Sequence, residues 1–288
     1  MHRYTLHNED IREASDRLLS PGQVGLLSGW GVFSTIKVID GALFAFERHW
    51  ARMSRDAALL RVTLPADPAR VENNLLRLVE KNAAFLSTMR VVVVRNQGGM
   101  WEAAGQTRAS DLIAFTADIK HWGRSVRLNY VPHARYAASM FAGAKILSWA
   151  MNLTWLDEAQ CQGFDEVVLL NERGEVAECT SANIFAAKGG EVWTPPLGSG
   201  CLPGITRELL LHEVHPPGIR VTEKVLTPAD LEGADEVFIT STTRDLLPVA
   251  MIGQRPIANA GHTREALQAA FSKYTDDYIA AHKRQAVK

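Results

Sequence analysis

Apolar and polar residues alternate along positions 30–46 in the manner of a β-hairpin. The even-numbered positions of the first strand are Val32, Ser34, Ile36 and Val38. Since every second side chain of a strand points to the same side of its sheet, these residues should line one face. Asp40-Gly41 gives a two-residue turn signal before a second short strand. The pattern predicts an antiparallel hairpin.

A helical spacing of apolar residues replaces this alternation after position 46. Trp50, Met53, Ala57 and Leu60 recur three or four residues apart, which predicts a helix over 47–60. Further signals predict a second helix near 69–82 and strands at 90–95 and 112–115. Together these elements give the N-terminal part an α+β character.

Helical and strand-like patterns continue to alternate in the C-terminal half of the chain. Helices are predicted near 146–161, 204–213 and 262–283, and strands at 165–170, 183–187, 219–225 and 235–240. A charged segment around Gly123 separates the two halves and is interpreted as a linker over 119–125. The predicted domains are therefore residues 1–118 and 126–288.

The composition is that of an ordinary globular chain. Of 288 residues, 47% are hydrophobic and 22% are charged, and the formal net charge is −1. So small a charge gives no polybasic surface for nucleic acid or an anionic membrane. Three cysteines are an odd number, which argues against a disulfide scaffold and favours a reducing compartment. With no apolar run long enough to span a bilayer and no apolar signal core, we expect a cytoplasmic protein.

Lys145 is the first candidate for chemistry. It lies in an apolar stretch, Phe141-Ala-Gly-Ala-Lys-Ile-Leu147. Apolar surroundings remove water from an amine, which disfavours its charged form and favours its use as a nucleophile and proton carrier. Among 31 basic residues, a single lysine is more often a solvated residue at the start of a helix. The motifs that follow Lys145 decide between these alternatives.

Three motifs follow the lysine along the chain. They are Glu178-Cys-Thr-Ser-Ala-Asn-Ile-Phe185, Trp193-Thr-Pro-Pro196 and Leu202-Pro-Gly-Ile-Thr-Arg207. Together with Lys145 they resemble the class IV aminotransferases, which are pyridoxal 5′-phosphate (PLP) enzymes of fold type IV. The resemblance implies an α+β fold with a small N-terminal α/β domain and a larger C-terminal pseudobarrel domain. It also implies a cofactor in the cleft between the domains and a homodimer.

The resemblance assigns cofactor-binding roles to residues of both domains. Lys145 would bind PLP covalently and carry a proton, and Glu178 would keep the pyridine nitrogen protonated. The implied phosphate ligands are Arg52, Ile205, Thr206 and Thr242. Two of these open a predicted helix, where unpaired N–H groups and the helix dipole favour an anion.

Arg52 belongs to Glu47-Arg-His-Trp-Ala-Arg-Met53, which is similar to the family's His-x-x-Arg-Leu helix. A guanidinium can give phosphate two parallel hydrogen bonds. Without the resemblance, a solvated role on an amphipathic helix would be the better interpretation of Arg52. His49 is interpreted as a structural, hydrogen-bonded histidine. The nine histidines show no metal-ligand spacing, and no metal is predicted.

The substrate side departs from some branches of the family. Phe33 stands where the D-amino acid enzymes have a tyrosine, and Met100 stands where they and the lyase have an arginine. The resemblance to the branched-chain enzymes instead places Arg90 at the substrate carboxylate, with Phe33 and Thr243 as further contacts. The plain alternative for Arg90 is an arginine that flanks a buried strand. Ala150 departs from the branched-chain pattern, which has a tyrosine there.

These residues predict PLP-dependent transamination between a small, branched-chain amino acid and a 2-oxo acid, with ping-pong kinetics. One alternative is a lyase of the aminodeoxychorismate type, which releases pyruvate. The stretch 33–41 favours that alternative and Met100 opposes it. A second alternative is a D-amino acid aminotransferase. A catalytically silent relative is disfavoured by four residues that occur together, Arg52, Lys145, Glu178 and Thr242.

Overall fold

The computed structural model describes residues 1–282, which form two compact units. The first unit contains Met1–Lys120, Lys145–Trp149 and residues 276–282. The second contains His121–Ala144 and Ala150–Thr275. The linker over 119–125 stays a prediction. The predicted domains over 1–118 and 126–288 likewise stay predictions. Within the first unit, the backbone at Ile146 pairs with Val32.

The first unit is built on an antiparallel sheet of six strands. The strands are β1 (Tyr4–His7), β2 (Asp10–Glu13), β3 (Gly31–Ile39), β4 (Ala42–Leu43), β5 (Ser87–Arg95) and β6 (Ser110–Ala117). Their order is β2-β1-β6-β5-β3-β4. The helices are α1 (Val24–Ser28), α2 (Phe46–Leu60) and α3 (Pro68–Lys81). The predicted hairpin, helices and strands of this region are confirmed, whereas β1, β2 and α1 are too short to give a periodic signal.

The core of the first unit lies where α2 and α3 cover one face of the sheet. Val32, Ile36 and Val38 are at most 1% exposed and belong to the same apolar cluster as Met53 of α2. The even-numbered residues of β3, which the sequence places on one face, therefore face the core. Ser34 shares this parity and is also fully buried, so a polar group lies within an apolar layer and needs a hydrogen-bonding partner there.

The second unit contains a sheet of nine strands curled into a half-barrel. The strands are β7 (Val126–Arg135), β8 (Glu166–Asn171), β9 (Val176–Cys179), β10 (Asn183–Lys188), β11 (Glu191–Thr194), β12 (Arg220–Glu223), β13 (Glu236–Ser241), β14 (Asp245–Ile252) and β15 (Arg255–Pro256). Their order is β12-β11-β10-β13-β14-β7-β8-β9, and β15 pairs with β14. Both parallel and antiparallel pairs occur. The mixture of helices and strands confirms the predicted α+β class.

Four further helices complete the described chain. They are α4 (Ala150–Cys161), α5 (Ile205–His212), α6 (Pro228–Glu232) and α7 (Thr263–His282). The end predicted for α7 at residue 283 lies outside the described residues. Across residues 1–282, no helix combines the length and the apolar character needed to cross a bilayer.

The helix predicted over 146–161 begins only at Ala150. Ile146 forms an antiparallel bridge with Val32, and the Leu147 N–H donates to the Gly31 carbonyl at 3.0 Å. A backbone that pairs with a strand in this way cannot also make the i to i−4 bonds of a helix. Strands β7, β11 and β14 are not indicated by the sequence pattern. In β7, for example, Pro132 interrupts the alternation.

Candidate functional site

Lys145 lies on a non-helical segment of the first unit that runs beside β3. The Phe33 N–H donates to the Lys145 carbonyl at 3.2 Å. The Lys145 N–H donates to Oδ2 of Asp56 at 3.0 Å, and Asp56 is only 1% exposed. Hydrogen bonds on both sides of the residue thus fix the backbone from which the lysine side chain extends. The sequence predicts the importance of this lysine but not its pairing with a strand.

The Lys145 amine lies over aromatic rings. Its Nζ is 4.5 Å from the centre of the Phe33 ring and 5.7 Å from that of Trp149. The two rings meet edge to face at 5.9 Å. A ring face attracts a cation, and it also displaces water, which disfavours the charged form of an amine. The lysine therefore has the partly apolar surroundings that its sequence neighbours predict.

Arg90 approaches the same Phe33 ring from β5. Its Cζ atom is 4.5 Å from the ring centre. Arg90 lies opposite Thr35 in the antiparallel register with β3, so its side chain shares a face of the sheet with Phe33. Burial lowers the pKa of Arg90, yet a guanidinium remains charged at physiological pH. Phe33 therefore lies within reach of both an amine and a fixed positive charge.

Arg52 points into the first unit and not toward solvent. The residue is 8% exposed, whereas the Arg55 side chain on the same helix is 48% exposed. Arg52 Nη2 donates to Ser34 Oγ at 2.9 Å, and Ser34 Oγ lies 2.8 Å from His49 Nδ1. The solvated alternative for Arg52 is therefore excluded. His49 is a buried, hydrogen-bonded histidine, as interpreted from the sequence.

Glu178 lies on β9 of the second unit and is 9% exposed. Its Oε1 accepts a hydrogen bond from Arg135 Nε at 3.0 Å, and its Oε2 accepts one from the Leu202 N–H at 3.0 Å. Arg135 is itself oriented by Asn152, whose Oδ1 accepts from Nη1 at 3.2 Å. A carboxylate can accept about four hydrogen bonds. The two partners thus fix the orientation of Glu178 and leave it able to bind another donor.

Helix α5 begins at Ile205, directly after Gly204. Within the described chain, no side chain caps this helix, so the N–H groups of its first turn lack the partners that a cap would provide. Ile205 and Thr206 are 4% and 5% exposed. A Cβ atom at residue 204 would lie 2.0 Å from Oδ1 of Asn183, which explains the glycine. Buried N–H groups at the positive end of a helix dipole suit a phosphate group.

Thr242 and Thr243 form the turn between β13 and β14, and both are partly buried. Arg244 ends this turn, and its side chain forms an ion pair with Glu166 at 3.3 Å. The two side chains are 4% and 1% exposed. Arg244 Nη1 also donates to the Ser181 carbonyl at 3.1 Å. The turn with the threonines is therefore tied to the loop that directly follows β9 and Glu178.

Each unit brings together its own share of the predicted residues. In the first unit, Phe33, Arg90 and Lys145 meet around one ring, and Arg52 lies on the helix-covered side of β3. In the second unit, a hydrogen bond connects Glu178 to the segment before α5, and Arg244 of the threonine turn donates to the loop that follows β9. The sequence pattern does not indicate Arg135 or Arg244. The sequence does carry a signal for Ser34, which is the one polar residue among the even-numbered positions 32–38 of β3.

A metal-ligand set does not form in the part of the chain that the structure describes. Nowhere within residues 1–282 do three or more His, Cys, Asp or Glu side chains come together as candidate ligands. The titratable groups of the site are instead arranged singly or in pairs with arginine, such as Glu178 with Arg135.

Comparison with known proteins identifies relatives of the chain. The family model described as amino-transferase class IV matches residues 31–252. A putative branched-chain-amino-acid aminotransferase of Methanocaldococcus jannaschii is 31% identical over 255 residues, which cover 88% of each chain. A D-alanine aminotransferase of Bacillus licheniformis is 29% identical over 258 residues, covering 88% of this chain and 90% of the relative.

The fold also matches a solved structure. The branched-chain amino acid aminotransferase of Escherichia coli superposes with a TM-score of 0.87, at 23% identity and over 96% of both chains. At this identity the likeness shows the shared fold and leaves the substrate open. The two sequence relatives differ in their named substrates, so substrate choice depends on the residues of this chain.

Proposed function

The chain belongs to the class IV aminotransferase family, and on that premise we propose that it transfers the amino group of a small, branched-chain amino acid to a 2-oxo acid. Class IV aminotransferases use PLP. When bound, PLP supplies an electron-accepting ring that makes the Cα–H bond of an attached amino acid acidic. The protein then has to hold the cofactor, orient the substrate and move one proton.

The donor set of this chain fits PLP. Lys145 supplies the amine for covalent attachment, and the buried carboxylate of Glu178 suits a protonated pyridine nitrogen. The uncapped start of α5 suits a phosphate group. We assign the phosphate contacts to Arg52, Ile205, Thr206 and Thr242. These assignments give the point of covalent attachment, the pyridine nitrogen and the phosphate each a residue of suitable chemistry.

The arrangement around Phe33 is the observation that carries the proposal. Lys145 Nζ and Arg90 Cζ are each 4.5 Å from the centre of this ring. Arg90 would hold the substrate carboxylate through charge-assisted hydrogen bonds. The Lys145 amine would then take the proton from Cα, as a positioned general base does. Phe33 would contact the substrate and keep water away from both groups.

Glu178 would act at the ring nitrogen, where it stabilises the protonated form. Arg135 and the Leu202 N–H hold its two oxygens, so the carboxylate would not need to reorganise during the reaction. Thr243 is assigned to the substrate because it adjoins the phosphate-binding Thr242 in the same turn. The apolar rings of Phe33 and Trp149 support a substrate with an apolar side chain.

An absorbance titration tests the substrate class. PLP-loaded protein is mixed in turn with L-leucine, L-glutamate, D-alanine and D-glutamate, without any oxo acid. We expect the two L-amino acids to convert the cofactor to pyridoxamine phosphate and the two D-amino acids to leave it unchanged. Conversion by the D-amino acids alone would replace the branched-chain assignment with a D-amino acid aminotransferase. No conversion, together with pyruvate release from aminodeoxychorismate, would establish the lyase.

We also propose that the protein works as a homodimer in the cytoplasm. The dimer is supported by the family resemblance of the sequence. A reducing compartment is supported by Cys161, Cys179 and Cys201, none of which forms a disulfide within the described residues. Light scattering after gel filtration would test the dimer, because a monomer with full activity would contradict it.

A further inference from the structure

Ser34 connects two side chains of α2 inside the buried layer of the first unit. Its Oγ lies 2.9 Å from Arg52 Nη2 and 2.8 Å from His49 Nδ1. His49 and Arg52 are three residues apart on the helix, so both can face β3. Ser34 is fully buried and His49 is 1% exposed. The three side chains therefore form a short hydrogen-bonded chain that is shielded from water.

The chemistry of the three groups limits where the protons lie. A guanidinium can only donate, so Ser34 Oγ accepts from Arg52. Ser34 Oγ keeps its own hydroxyl proton, and we assign that proton to His49 Nδ1 as acceptor, at 2.8 Å. Arg52 Nη2 lies 3.5 Å from the same Nδ1, and a donor at that position also opposes a proton on Nδ1. These two contacts favour a neutral His49 with its proton on Nε2.

The surroundings of His49 keep it neutral. Burial, followed by the charges of Arg52 and Lys145, holds the pKa of His49 well below its ordinary value. His49 Nε2 has no hydrogen-bond partner among residues 1–282. An unpaired buried polar atom destabilises the fold, so an apolar side chain would serve stability better at this position. Packing alone does not account for a histidine here.

We propose that Ser34 and His49 are positioning residues that hold the Arg52 guanidinium in the orientation needed to bind the phosphate of PLP. The inference rests on the proposed function, since it concerns the phosphate contact assigned to Arg52. Ser34 fixes one terminal nitrogen of Arg52, and His49 fixes the hydroxyl of Ser34. A guanidinium so restrained loses less rotational freedom when it binds an anion.

Binding to the apoprotein provides the test. Dissociation constants for PLP, and for inorganic phosphate as its competitor, are measured for Ser34→Ala, His49→Phe and His49→Asn. We expect the first two variants to bind both probes about tenfold more weakly, which corresponds to loss of one charge-assisted contact. His49→Asn should stay close to wild type, because its amide oxygen can accept the Ser34 proton in place of Nδ1.

Ser87→Ala is the matched control. Ser87 is also a fully buried serine of the same sheet, but its Oγ donates to the Ala84 carbonyl at 2.9 Å and not to α2. We expect this variant to bind phosphate as wild type does. If Ser34→Ala and His49→Phe also bind like wild type and only melt earlier, the positioning role is contradicted.

Two further results separate this inference from the proposed function. ¹⁵N NMR of histidine-labelled protein should show a neutral His49 protonated on Nε2, and a proton on Nδ1 would overturn the proposal even if a variant failed to fold. If an Arg52→Met variant binds phosphate like wild type, Arg52 does not contact the phosphate. The inference would then fail. Failure of the proposed function would appear differently, as no cofactor conversion with any of the four amino acids.

Discussion

The two units hold their charged site residues in different ways. In the first unit, Arg52 donates to a neutral hydroxyl, and Arg90 and Lys145 lie over a phenylalanine ring. In the second unit, the buried carboxylates of Glu166 and Glu178 are each paired with an arginine. Removing one partner of a buried ion pair leaves an uncompensated charge in a place without water. Loss of Arg244 in the second unit should therefore lower stability more than loss of Arg90 in the first unit.

The largest effect on stability is expected at Arg244. Arg244→Met leaves Glu166 buried without its cation and should lower the free energy of unfolding by about 3–5 kcal/mol. The double variant Glu166→Gln/Arg244→Met removes both charges, and we expect it to recover much of this loss. Urea unfolding curves measure both values.

Arg255 offers a control for this comparison. Its side chain is 72% exposed and pairs with Glu232 at 2.8 Å. An exposed ion pair contributes about 0–1 kcal/mol, so Arg255→Met should change stability very little. Equal losses for the Arg244 and Arg255 variants would contradict the distinction between buried and exposed pairs.

Arg90→Met should show the opposite behaviour, with function lost and the fold kept. Burial already disfavours the charge of Arg90, so its removal should change the free energy of unfolding by less than about 1 kcal/mol. Loss of the substrate carboxylate contact should raise KM for the amino acid about 100-fold, which corresponds to about 2.7 kcal/mol. Steady-state kinetics beside thermal unfolding separate the two effects. An unchanged KM would support the alternative of an arginine that merely flanks a strand.

Arg135→Met should give a smaller loss of stability, of about 2 kcal/mol, because Glu178 keeps its bond to the Leu202 N–H. The variant should also slow transamination, since the carboxylate is then held at one oxygen only. Asn152→Ala serves as comparison, because it loosens Arg135 without removing its charge. A rate for Arg135→Met equal to that of wild type would show that the orientation of Glu178 does not matter.

The smallest expected effect is a pH dependence that arises from His49. Its pKa in the folded protein lies below the ordinary value of 6.5, so below pH 6.5 the unfolded chain binds a proton that the folded chain does not. Stability should therefore fall as pH decreases, by at most about 1.4 kcal/mol per pH unit from this group. Unfolding curves of wild type and His49→Asn between pH 7.5 and 5.5 should diverge at the acid end. Parallel curves would mean that His49 titrates normally.

Much of the fold follows from local patterns in the sequence. The alternation in β3 and the helical spacing in α2 are each set by neighbouring residues, and both elements form as predicted. The motifs around Lys145, Glu178 and α5 likewise lie in short segments. Local pattern is therefore sufficient for these two elements, and the family resemblance of the short motifs supplies the principal candidates.

The partners of these candidates depend on distant residues. Arg135 is 43 positions from Glu178, and Arg244 is 78 positions from Glu166. Ser34 is a polar residue among apolar positions of β3. Its partners His49 and Arg52 reach it only because α2 packs against β3. The late start of the predicted 146–161 helix, at Ala150, has the same origin, since the pairing of Ile146 with Val32 is non-local. Tertiary pairing of this kind leaves no periodic signal in a single sequence.

Exchange of the Cα hydrogen of L-leucine for deuterium tests the roles of Lys145 and Glu178 most directly. Wild type, Lys145→Ala and Glu178→Gln are compared after loading with PLP, with visible absorbance recorded beside the exchange rate. We expect Lys145→Ala to lose both the lysine-linked absorbance and the exchange, and Glu178→Gln to keep the absorbance but exchange at least about 100-fold more slowly. Retention of lysine-linked absorbance by Lys145→Ala, or wild-type exchange by Glu178→Gln, would contradict these roles.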